Sequence, residues 1–120
     1  MATDAIAPSQ TETIARLNDY ARMGKDRSAI TMFTTNLLAE LSDGKPGSDL
    51  VAQSKIAREM RRCTFSDDSP EKDMAWFEVE GVRVMMKIDY FDNALEWGSQ
   101  DPADPEKTRR VITMMLPQDY

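Results

Sequence analysis

The stretch "MAWFEVEGVRVMMKIDY", residues 74–90, limits the fold more than any other part of the chain. Apolar side chains alternate on both sides of Glu80-Gly81: Ala75, Phe77 and Val79 share one face before it, and Val82, Val84, Met86, Ile88 and Tyr90 share one face after it. A period of two, broken by a two-residue turn with glycine, predicts a β-hairpin. A lone hairpin is marginal in water, so further strands and a covering layer must come from the rest of the chain.

The remaining segments supply them. "SQTE" at residues 9–12 has the form of a capping box, and Ile14, Leu17 and Ala21 follow at helical spacing, which predicts a helix from 10 to about 23, ended by Gly24. "AITMFTT" (29–35) is β-branched and aromatic and reads as a strand, while "NLLAEL" after it is compatible with a longer strand or a helical turn. After the glycine- and proline-bearing loop "SDGKPGSD", Ser48 or Asp49 can cap a second helix in which Leu50, Val51, Ile56 and Met60 form a stripe, stopping near Cys63. "RRVITMML" completes the set as a final strand before Pro117. The expectation is an α+β fold: a mainly antiparallel four-stranded sheet with two helices packed on one face. Residues 1–8 read as a tail, and 9–120 as one domain.

Composition narrows the chemistry. The chain has no histidine, the commonest general base and metal ligand, and its single cysteine, Cys63, cannot form an internal disulfide. No apolar run approaches the roughly 20 residues needed to span a bilayer. The N-terminus lacks the basic start and apolar stretch of a signal peptide, so the expectation is a cytoplasmic protein without a membrane association. Residues 64–106 hold twelve acids against three bases, a net of −9 in a chain of −6 overall. Acidic surface repels phosphates and attracts basic partners, which disfavours direct nucleic-acid binding. Solubility and internal charge pairing are the plainer use of such a run.

Three constellations carry candidate chemistry. In "KIDYFD" (87–92), Asp89 and Asp92 with Tyr90 could serve as an acid–base pair or hold a divalent cation, although carboxylates at a strand end more often cap turns or pair with a base such as Arg83, Arg109 or Arg110. "GSQDPADPEKT" (98–108) repeats Asp-Pro at Asp101 and Asp104, turn chemistry rather than the alternating pattern of a calcium loop. No cofactor or metal ligand set is expected. Met85, Met86, Met114 and Met115 fall on adjacent positions of two strands, so Met85 and Met115, with Trp76, face away from the helices. That patch is a partner or homodimer surface, or else is covered by another segment.

The combination of "IARLND" (14–19) with Arg22, "FEVEG" (77–81), "KIDYFD", "GSQDPADPEKTRRVITMML" and a terminal "DY" resembles the small bacterial domain-of-unknown-function family number 3768. The resemblance implies that "KIDYFD" belongs to a recurring scaffold. Where the family tends to carry a histidine-bearing loop this chain reads "DDSPEKDMAW", which favours binding over catalysis. By analogy, the family is similar to accessory proteins of mobile elements, among them phage- or plasmid-encoded anti-CRISPR inhibitors.

The functional expectation is therefore a non-enzymatic acidic protein, an inhibitor or regulator that binds a basic nucleic-acid-handling protein and competes with its nucleic acid. Asp67, Asp68, Asp89, Asp92, Asp101 and Asp104 would present the charge, with Trp76 and Trp97 as aromatic anchors. The alternative is a small metal-dependent or hydrolytic enzyme using the carboxylates around Asp89 and Asp92.

Overall fold

The hairpin lies at one side of a four-stranded sheet. A computed structural model describes residues 7–120; residues 1–6, most of the expected tail, lie outside the described residues. Strands β2 (Met74–Val79) and β3 (Val82–Phe91) pair antiparallel in the expected register, with Ala75 opposite Met86 and Val79 opposite Val82. Glu80 and Gly81 turn between them at φ 49° and 81°. Two successive positive φ angles give the turn a twist that matches the flanking strands.

Strand β4 (Arg109–Met115) adds antiparallel to the other side of β3. The first strand, β1 (Ile30–Phe33), is the exception: it lies parallel to β4, so the sheet is mixed, in the order β1-β4-β3-β2. The mainly antiparallel expectation followed from short connections between consecutive strands. β1 pairs instead with the strand most distant from it in sequence, and no local pattern encodes that choice.

Three helices cover one face of the sheet rather than the expected two. Helix α1 (Gln10–Arg22) is capped as expected, the Ser9 hydroxyl accepting from the Glu12 amide at 3.1 Å. The Glu12 carboxylate meets the Ser9 hydroxyl, at 3.2 Å, rather than the Ser9 backbone. At its C-terminus Gly24 (φ 77°) lets its own amide reach Ala21 O and the Lys25 amide reach Tyr20 O, satisfying two terminal carbonyls. The ambiguous "NLLAEL" forms a short helix, α2 (Thr35–Leu41), because the Thr34 hydroxyl accepts from the Leu37 amide and so starts a helical turn. Helix α3 (Ser48–Arg62) follows, but its N-cap is Gly47, with no side-chain cap, so neither Ser48 nor Asp49 has the expected role.

Leu37, Ile56 and Met60 from the helices meet Val84, Met86, Ile88, Ile112 and Met114 from the sheet, all buried in one continuous core. Burial of each such aliphatic side chain contributes about 1.5–3 kcal/mol. Among the described residues no helix is long and apolar enough to cross a membrane.

The opposite face is not an open apolar patch. Met85 is fully buried and Met115 is 7% exposed, leaving only Trp76, at 44%, accessible from the expected trio. A 3-10 turn at Pro117–Asp119 packs back against β3, and Lys87 Nζ sits 5.2 Å from the Tyr120 ring centre. Asp119 anchors this turn: one carboxylate oxygen accepts from the Thr34 hydroxyl at 2.7 Å and the Leu116 amide at 3.0 Å, the other from Asn36 at 2.8 Å. These contacts hold the Asp119 carboxyl below the usual range.

Candidate functional site

"KIDYFD" does not converge on one pocket. Alternation turns Asp89 to the helix-free face, where it pairs with Lys87 at 3.3 Å. Tyr90, one residue on, points into the helix layer. Asp92 lies beyond the pairing with β4, and its carboxylate accepts from the Glu96 amide at 3.0 Å, a turn cap. The two carboxylates and the phenol therefore each have a separate partner: Lys87, the Glu96 amide and the Asn18–Glu71 pair. Among the described residues no group of three or more acids or cysteines is arranged to hold a metal ion.

Tyr90 instead joins a buried polar network that composition and spacing did not reveal. Asn18, fully buried on α1, donates through Nδ2 to the Tyr90 hydroxyl at 2.8 Å and to the Glu71 carbonyl at 2.9 Å. The Tyr90 hydroxyl donates in turn to Glu71 Oε1 at 2.9 Å. Arg110, 1% exposed, donates through Nε to Asn18 Oδ1 at 2.6 Å and through Nη2 to the Pro102 carbonyl at 2.7 Å, with its guanidinium 5.1 Å from the Tyr90 ring centre. Burial pushes the Tyr90 phenol up, Glu71 adding to the shift against Asn18, and burial pushes the Arg110 guanidinium down from its ordinary value.

The network has a geometric consequence. Glu71 belongs to the loop between α3 and β2, and Pro102 to the loop between β3 and β4. Asn18 and Arg110 hold backbone carbonyls of both, so the two acidic loops are tied together over the same end of the sheet. The Thr108 hydroxyl donates to Asp101 O at 2.8 Å and lies 2.7 Å from the Ser99 hydroxyl, which fixes the second loop further. A neighbouring cluster secures the first: Asp19 binds Arg22 and, at 3.0 Å, Lys72. Burial pushes the Asp19 carboxyl up, but these two cations outweigh it and leave its pKa below the usual range.

The acids named from the sequence fall on these loops or beside them. Asp67 and Asp68 are exposed in the first loop, and Asp101 and Asp104 are half-buried in the second. Of the six aspartates, only Asp89 has an ion-pair partner among the described residues. Asp104 accepts from the Glu106 amide at 2.9 Å, turn chemistry as expected, whereas the Asp101 carboxylate meets the Gln10 side chain, 3.5 Å from its Nε2. Trp97 is the most exposed aromatic, at 73%, on the Asp92–Gly98 turn, while Trp76 lies under the Arg83 guanidinium at 4.9 Å. An open cleft of about 650 Å³ runs beside Trp76, with Asp68, Asp73 and Phe65 among its walls.

Cys63 is half-buried just past the end of α3, its thiol donating to Met60 O at 3.1 Å. Burial pushes the thiol up, so the nearby cations do not turn it into a nucleophile.

No curated protein and no solved structure matches the chain. A family model does, over residues 34–119, from the N-cap of α2 to the C-terminal turn; the "IARLND" helix precedes the matched region. The match spans most of the chain and takes in both acidic loops, the hairpin and Arg110, and the chain belongs to that family, described as a protein of unknown function (DUF3768).

Proposed function

We propose that this protein is a non-enzymatic interaction protein whose acidic loops engage the cationic surface of a nucleic-acid-handling protein, as an inhibitor or regulator that competes with the nucleic acid. The observation that supports this reading is the tethering of two acidic loops by Asn18 and Arg110, with Asp67, Asp68, Asp101 and Asp104 outside any ion pair among the described residues. Fixed negative charges on a preorganised surface attract a basic partner without the ordering cost that a mobile acidic tail would incur. A nucleic-acid-binding surface concentrates cationic side chains, and an acidic protein seated there excludes phosphates.

The test is capture by the tagged protein from an extract, read at low and high salt and again with excess nucleic acid. The reading expects a nucleic-acid-binding protein that is retained at low salt and released by either treatment. Retention indifferent to both would contradict it.

A further inference from the structure

β2 is an edge strand, paired only with β3. The Ile88 amide donates to Asp73 O at 2.8 Å, which fixes the phase of the ladder: Ala75, Phe77 and Val79 spend their backbone groups on β3, and Met74, Trp76 and Glu78 turn theirs outward. The Met74 amide is taken by the Ser69 hydroxyl at 3.3 Å. The outward groups of Trp76 and Glu78 have no hydrogen-bond partner among the described residues, and both residues are exposed. Edges are usually blunted by proline, charged side chains, a bulge or a cover; "MAWFEV" has no proline and a single charge, Glu78.

The cleft beside Trp76 lies along this edge. Asp68 and Asp73 are among its walls and no basic side chain is, while Phe65 and Ala75 give it an apolar floor. Glu78 adds a further carboxylate on the strand itself.

We propose that an extended segment of a partner protein, bearing alternating basic and apolar side chains, docks along β2 as a fifth strand. Its backbone pairs with Trp76 and Glu78; strand alternation then turns its apolar side chains to the face that carries Trp76 and its lysines or arginines into the cleft, where they meet Asp68 and Asp73. Charge complementarity selects this occupant over a second copy: the cleft walls hold Asp68 and Asp73 and no basic side chain, and "MAWFEV" from a second copy brings no cation to them. The inference rests on the reading of a cationic protein partner and names where and how that partner is held.

The experiment titrates the isotopically labelled full chain with a short peptide of alternating lysine and valine, and with the same peptide N-methylated on the backbone edge that would face β2. The expected result is binding of the unmodified peptide, with the Trp76 and Glu78 amides shifted and protected from exchange. N-methylation then weakens binding about tenfold, the scale of losing one or two hydrogen bonds. Glu78→Pro, which removes an outward amide at an edge position that tolerates proline, weakens it similarly, and Glu78→Gln does so less. Equal binding of both peptides, with shifts confined to Asp101 and Asp104, would overturn the edge site while leaving the cationic-partner reading intact. Absence of binding even at low salt would overturn both, and concentration-dependent self-pairing of β2 would replace the peptide with a second copy.

Discussion

Asn18 and Arg110 stand ninety-two residues apart and meet at 2.6 Å, Nε to Oδ1, with both side chains essentially removed from solvent. Among the described residues no carboxylate forms an ion pair with Arg110, although Asp26 and Glu71 lie close enough to favour its charge; Asn18 and the Pro102 carbonyl supply its acceptors. Removing Asn18 therefore strands a buried cation, and with it the Tyr90 hydroxyl loses a donor. Asn18→Ala is expected to cost about 3 kcal/mol or more, against about 1 kcal/mol for Tyr90→Phe, which leaves the cation's acceptors in place. Urea unfolding of the two variants checks the order. Equal, small losses would mean that the network does not hold the loops.

Acid should loosen the fold through Asp19 and Asp119, whose carboxyls both lie below their ordinary value of 3.8 in the folded chain. A depressed folded pKa contributes stability that is complete above the unfolded value and is lost as pH falls through the folded one. The loss therefore begins below about pH 4. Unfolding midpoints measured through this range for the wild type and for Asp19→Asn should converge at the acid end, where the wild type's Asp19 is protonated and as neutral as the asparagine. A constant gap between them would contradict this assignment.

Met85 distinguishes a covered sheet face from an open one. Its side chain is fully buried within a single chain, on the strand against which the C-terminal turn packs. Met85→Ala should cost about 2–4 kcal/mol in dilute protein, the range for emptying a buried site. A loss below about 0.5 kcal/mol would mean that the face is exposed in solution.

Gly81, at φ 81°, has open space where a Cβ would stand. Gly81→Ala therefore meets a backbone penalty without a clash, about 1 kcal/mol. Gly81→Asn should recover part of it, because asparagine tolerates this conformation. Thermal unfolding of the pair resolves the difference, and a larger loss for asparagine would contradict the turn assignment.

The elements legible in the sequence were those set by local pattern. Alternation around Glu80-Gly81 located the hairpin and its register, and the Ser9 cap and Gly24 bounded the first helix. What escaped was decided at long range. β1 chose β4 as its neighbour, Asp119 returned the C-terminus to Thr34, and Met85, which alternation alone left facing solvent, is buried. The site followed the same division. The exposed aspartates and tryptophans were visible as composition, whereas Asn18 and Arg110, which hold the loops carrying them, look in sequence like a helix asparagine and one arginine of an adjacent pair. Asn18 is central to a motif quoted for the family resemblance, yet only its burial and its partners show what it does.

The most direct measurement of the central claim compares capture of a cationic nucleic-acid-binding partner by the wild type and by a variant carrying Asp67→Asn, Asp68→Asn, Asp101→Asn and Asp104→Asn, as salt is raised. Asparagine keeps an acceptor at each turn, so the fold should persist, and a thermal melt verifies that. The account predicts that the variant binds at least about tenfold more weakly at low salt and that its binding depends less on salt than the wild type's. Equal affinity and equal salt dependence in the two proteins would contradict it.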